Sequence, residues 1–136
     1  MKHLSRFTIA FLILCGVFVS MQSNHAAPET DEQARVLRHV VLFKFKEDAT
    51  EAQIREIETA FAALPSQIDA VHDFEWGTNN SPEGLEKGFT HCFVVTFNDE
   101  EGRAAYLPHE AHQAFVAKLR PILDDVLVVD YWTPEE

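Results

Sequence analysis

Apolar and polar positions alternate along three stretches of this chain and recur at helical spacing along two others. From Arg38 to Lys46 the pattern has period two. His39, Val41, Phe43 and Phe45 fall on one side, and Val40 and Leu42 on the other between charged ends, which predicts a strand. Thr50-Glu51-Ala52-Gln53 matches a capping box, a hydroxyl residue followed three places later by Gln. Ile54, Ile57, Phe61 and Leu64 then form an amphipathic stripe that Pro65 ends. Alternation resumes from Ala70 to Trp76, with His72, Phe74 and Trp76 on one side. A loop over 77–88 follows, rich in Asn, Ser, Pro and Gly. Phe89 to Asn98 is a second clear strand, with His91, Phe93, Val95 and Phe97 sharing a face. Residues 99–106 read as a short helix and Glu110 to Leu119 as a longer one, with Ala111, Phe115 and Leu119 on its stripe. Val126 to Trp132 is the last strand.

The order is β-α-β-β-α-β, a ferredoxin-like α+β sandwich. Two helices can cover only one face of a four-stranded sheet. The centres of the strands at 38–46 and 89–98 are nevertheless apolar on both faces, as in doubly covered strands. A second layer is missing from the chain, and another copy of the same sheet is its simplest source, so the pattern predicts a homodimer.

The N-terminus changes the picture of location. Met1–Arg6 carries two basic residues and no acid, residues 7–21 are almost wholly apolar, and Ala26-Ala27 precede Pro28. This is the layout of a secretory signal over residues 1–27, and the apolar run of about 15 residues is short of the ~20 that span a bilayer. Export to the periplasm or medium is the expectation, with lipidation at Cys15 as the lesser alternative. Residues 28–35 read as a flexible leader and 36–134 as the domain. Without 1–27 the chain holds 9 Lys and Arg against 22 Asp and Glu, a formal charge of −13. Such a surface argues against nucleic acid and anionic membranes as partners. Cys92 alone then remains, so stability rests on packing.

Candidate chemistry gathers at Tyr106-Leu107-Pro108-His109-Glu110-Ala111-His112. A proline breaks one helix and two histidines, three residues apart, open the next, with a tyrosine just upstream. Imidazole titrates near neutrality and a phenol can donate or orient, which makes an acid/base cluster. Histidine is also a metal ligand, and His109 with His112 and either His39 or His91 would make a metal or haem reading conceivable.

Arg38-His39-Val40-Val41-Leu42-Phe43-Lys44-Phe45-Lys46, Gly88-Phe89-Thr90-His91, the Tyr106–His112 stretch and Asp130-Tyr131-Trp132-Thr133-Pro134 together resemble the stress-responsive A/B barrel, or Dabb, family. The likeness runs over roughly residues 36–134. It implies a dimeric α+β barrel, whose members have diverse activities. Within the family, the chain is similar to the cofactor-free plant polyketide cyclases of the olivetolic acid cyclase type. That resemblance implies His112 as general base, Tyr106 as its partner, and His39, His91 and His109 around the cavity. Phe61 stands where the cyclase pattern has a pocket tyrosine. The expectation is therefore an exported Dabb homodimer with a His/Tyr-lined pocket for a small apolar or aromatic ligand and no cofactor. A cyclase or isomerase using a His base is the alternative function, and a metal or haem protein the second alternative.

Overall fold

A computed structural model describes residues 35–134. The readings of residues 1–27 as an export signal, of Cys15 as a lipid site and of 28–34 as a leader lie outside that range. Arg35, assigned to the leader, is tied down instead: its Nε donates to the Thr133 carbonyl at 3.1 Å and its guanidinium lies 5.6 Å from the Trp132 ring centre.

Strand β1 is Leu37–Phe45, followed by helix α1, Glu51–Ala62, strands β2, Asp73–Thr78, and β3, His91–Phe97, helices α2, Glu100–Tyr106, and α3, Glu110–Leu119, and strand β4, Leu123–Trp132. The ferredoxin-like order expected from the pattern is the one observed. The strands form one antiparallel sheet in the order β2-β3-β1-β4. The capping box forms as read: Gln53 N–H donates to the Thr50 hydroxyl at 3.3 Å, and Thr50 N–H to Gln53 Oε1 at 2.9 Å. Leu64 lies beyond α1, in a short 3-10 turn, Leu64–Ser66, because Pro65 has no N–H to continue the ladder. β4 starts three residues earlier than its apolar pattern, at Leu123, since Asp125 and Leu123 pair with Lys44 and Phe45 of β1 across a register shift that leaves Asp124 as the extra residue. Lys44 meets Asp124 there at 2.7 Å.

All helices pack on one face. Leu37, Val41, Phe43, Phe93, Val95 and Phe97 of the sheet bury themselves against Ile57, Phe61, Phe115 and Leu119. Phe61 is the hinge of this aromatic core, with ring centres 4.4 Å from Phe93 and 4.6 Å from Phe115. Among the described residues no helix lies on the opposite face. Cross-strand register lines up Val129, Val40, Val94 and Glu75 in one row and Leu127, Leu42, Cys92 and Gly77 in the next. On this face β4 is the most open strand, with Leu127, Val129 and Tyr131 each 46–48% exposed. The two-sided apolar pattern is thus explained on one side by helices, and on the other no described element covers it.

Candidate active site

The sequence after β3 builds one wall of a cavity. Asp99 caps α2, its Oδ1 accepting from Gly102 N–H at 2.7 Å, and the helix ends at Tyr106 as Pro108 approaches. His109 is the N-cap of α3 and lies outside the helix; its Nδ1 accepts from Ala111 N–H at 3.2 Å. One turn on, His112 turns back across the break and donates from Nδ1 to the Leu107 carbonyl at 2.8 Å. With Nδ1 holding the proton, Nε2 is left as an acceptor. The His112 and Tyr106 ring centres are 4.4 Å apart.

His39 enters from β1. It is 7% exposed, and its ring meets Tyr106 edge-on at 6.1 Å. Its Nδ1 lies 2.7 Å from Asp130 Oδ1, across the β1–β4 ladder, and Asp130 Oδ2 accepts from Arg103 of α2 at 2.6 Å. Together His39, Tyr106 and His112, with Phe61, Phe115 and Val128, line a cavity of about 220 Å³ that is otherwise apolar. It sits between the sheet and α3, against the exposed strand β4.

The electrostatics of this cavity favour neutral groups. Burial lowers the His112 pKa, and His39 and His109 nearby lower it further, while the bond to Leu107 works the other way. Burial alone pushes the Tyr106 phenol far above its ordinary value. Burial also raises Asp130, yet the hydrogen bonds and charges of His39 and Arg103 outweigh that and hold its carboxyl below the usual range. The Tyr106 hydroxyl is buried and has no hydrogen-bond partner among the described residues. A neutral imidazole acceptor and a protonated phenol therefore stand side by side. That pair can take a proton from one atom of a guest and donate a hydrogen bond to another.

Not every histidine expected at the cavity reaches it. β1 and β3 run antiparallel, so the starts of the two strands lie at opposite ends of the sheet: His39 pairs with Val95, and His91 pairs with Phe43. Four residues of strand separate them, roughly 14 Å. His91 instead bonds Glu58 of α1 through Nε2 at 2.9 Å and the Thr90 hydroxyl through Nδ1 at 2.8 Å, with Trp76 stacked above it. His109 caps α3 and is absent from the cavity wall. Both Nδ1 atoms of the His109/His112 pair are bound to backbone groups, and among the described residues no three His, Cys, Asp or Glu side chains are grouped to hold a metal. The sequence reading missed Asp130 and Arg103. An acid at an inward position of a strand otherwise facing in with Val126, Val128 and Trp132 was the available signal.

The ferredoxin-like sheet, with its helices and cavity on one face, defines a class of small α+β domains that includes dimers. Comparison makes this specific. The family model for the stress responsive A/B barrel domain, Dabb, matches residues 37–133, and the chain belongs to that family. The stress-response A/B barrel domain-containing protein HS1 of Arabidopsis thaliana is 37% identical over 101 residues, covering 74% of this chain and 93% of that protein. Olivetolic acid cyclase of Cannabis sativa is 34% identical over 100 residues, covering 74% and 98%. A solved structure described as a dimeric ferredoxin-like protein of unknown function from Thermobifida fusca superposes with a TM-score of 0.63 at 28% identity, covering 74% of this chain and 93% of that one. No helix among the described residues is long and apolar enough to cross a membrane.

Proposed function

We propose that this chain is a homodimeric Dabb protein whose cavity binds a small, largely apolar carbonyl compound and moves a proton on it without a cofactor. His112 is the general base, through Nε2, and Tyr106 donates its hydroxyl to the carbonyl oxygen as negative charge develops there. His39 and Phe61 shape the cavity. The carrying observation is the Tyr106 hydroxyl, buried beside His112 with no hydrogen-bond partner among the described residues. A buried unpaired hydroxyl costs stability, and a guest that accepts its hydrogen bond relieves that cost. Likeness to olivetolic acid cyclase supports the reading. At about 220 Å³ the cavity is below the usual range for drug-sized ligands, so the guest is smaller than those.

Dimerisation belongs to the same proposal, supported by the apolar rows through Val40, Val94 and Leu42, which no described helix covers, and by neighbours described as dimers. So does export, supported by the composition of residues 1–27. Thermal melting with a panel of small aromatic carbonyl compounds tests the site. The wild type should gain stability with at least one of them, and Tyr106→Phe should gain less. No shift for any compound, or equal shifts in both proteins, overturns the reading. For the dimer, Val94→Glu should release single chains in light scattering, because the new charge faces Glu75 across the strand pair. A wild-type mass of one chain at micromolar concentration contradicts it, as an N-terminus at Met1 in protein from the native host contradicts export.

A further inference from the structure

The chain from Arg103 through Asp130 to His39 has no necessary place in an account that uses only His112 and Tyr106. Arg103 and Asp130 meet at 2.6 Å, and Asp130 and His39 at 2.7 Å, so each carboxylate oxygen has its own donor. Arg103 comes from α2, Asp130 from β4 and His39 from β1, and the three elements meet only in the folded domain.

An ionised carboxylate can only accept hydrogen bonds, and a guanidinium can only donate. With Arg103 on one oxygen, Asp130 stays ionised, and its second oxygen obliges the facing ring nitrogen to carry a proton. A neutral His39 must then be protonated at Nδ1 and bare at Nε2. We propose that Asp130, held by Arg103, is a positioning residue of the cavity, fixing His39 as the Nδ1–H tautomer so that its Nε2 becomes a second proton acceptor beside Tyr106.

This inference rests on the proposed acid/base site and narrows the substrate it takes. The rings of His112 and His39 both contact the Tyr106 ring, and all three line one apolar chamber, so with both Nδ1 atoms bonded the two Nε2 atoms are the acceptors left to a guest there. The matching guest carries a carbonyl oxygen for Tyr106 and two removable hydrogens on either side of it. One is the C–H that His112 takes as the carbonyl becomes an enolate. The other is an enol or phenol O–H that donates to His39. β-Dicarbonyl and ortho-hydroxyaryl ketone compounds have that layout, whereas a simple mono-ketone leaves His39 unpaired.

Substituting Asn for Asp130 reverses the logic. Arg103 can only donate, so it captures the amide oxygen and turns the amide NH₂ toward His39. That NH₂ needs an acceptor, which drives the ring to the Nε2–H tautomer. The test is long-range ¹H–¹⁵N NMR of histidine-labelled protein at alkaline pH. It should report Nδ1–H for His39 in the wild type and Nε2–H in Asp130→Asn, with backbone spectra otherwise conserved. Arg103→Met should raise the pH at which the Asp130 carboxyl titrates, and Arg103→Lys should restore it in part. Turnover of a β-dicarbonyl guest should fall about tenfold or more in Asp130→Asn, in kcat rather than KM. A wild-type Nε2–H tautomer, or an unchanged tautomer in Asp130→Asn, overturns the positioning role whether or not turnover is found. An Asp130 titration unmoved by Arg103→Met also contradicts it. The expected tautomers without any turnover sustain the positioning role and instead refute the acid/base reading of the cavity.

Discussion

The sheet carries two buried histidines on the same face, and their difference separates a site from a strut. His39 and His91 are each 7% exposed, and each is hydrogen-bonded to a carboxylate from another element. Composition and periodicity treat them alike. His91, however, has both ring nitrogens occupied, by Glu58 and Thr90, and its ring is sandwiched among Phe45, Trp76 and Phe93. His39 spends one nitrogen on Asp130 and faces a cavity where the Tyr106 hydroxyl has no partner among the described residues. A saturated imidazole ties helix α1 to the sheet, while an imidazole with a nitrogen to spare can serve a guest. Counting the free nitrogens of a buried histidine discriminates better than its burial.

The largest effect that breaks the comparison is on proton transfer. His112→Ala should lower turnover by roughly 10²–10⁴-fold with the fold intact, the range a positioned base contributes. His91→Ala should leave turnover nearly unchanged but cost about 1–3 kcal/mol of stability, because Glu58 loses its partner. Turnover assays beside denaturant unfolding separate the two. A comparable loss of turnover from His91→Ala would erase the distinction between the two ends.

Phe61 bridges the ends, so its truncation should spare neither. It lines the cavity and also holds Phe43, Phe74, Phe93 and Phe115 together. Phe61→Ala should cost about 3–5 kcal/mol in denaturant unfolding. A cost under about 1 kcal/mol would show that the core rearranges freely around it.

Tyr106→Phe should have the smaller and opposite effect on stability. Removing an unpaired buried hydroxyl removes its desolvation penalty, so the variant should unfold about 1 kcal/mol later while its turnover falls. A destabilised variant would mean that the hydroxyl already has a partner.

The mildest test is pH. His112 and Asp130 both have folded-state pKa values below their ordinary ones, so the folded chain binds fewer protons than the unfolded chain. Their contributions are fully present above the unfolded values, about 6.5 for His and about 3.9 for Asp, and are lost as pH falls through the folded ones. Melting temperature should therefore decline on acidification in two windows, the first absent in His112→Gln and the second absent in Asp130→Asn. Melting curves that stay flat below neutrality in the wild type would contradict both assignments.

Much of this architecture was legible because hydrophobic periodicity is local. The stripe of Ile54, Ile57 and Phe61, the capping box at Thr50 and the alternation through Phe43 each report on their own neighbours. The Tyr106–His112 break was legible for the same reason, since a proline and a one-turn spacing bring the two rings together without help from the rest of the chain. What failed was long range. Separating His91 from His39 required knowing that β1 and β3 run antiparallel, which neither strand states by itself. Asp130 meets His39 across 91 residues of sequence, and Arg103 meets Asp130 only because α2 docks at the end of β4. Strand register, which no single segment encodes, decides which histidine gets the cavity.

The central claim is that His112 and Tyr106 act as base and donor on a small carbonyl guest, and solvent exchange tests it without requiring the natural substrate. Small β-dicarbonyl and hydroxyaryl ketone compounds are incubated with the protein in deuterium oxide, and deuterium entering the carbon next to the carbonyl is followed by NMR. The account predicts exchange well above buffer for the wild type, a loss of roughly 10²–10⁴-fold in His112→Ala, a smaller loss in Tyr106→Phe and none in His91→Ala. Wild-type exchange no faster than buffer, or exchange that survives His112→Ala unchanged, would contradict it.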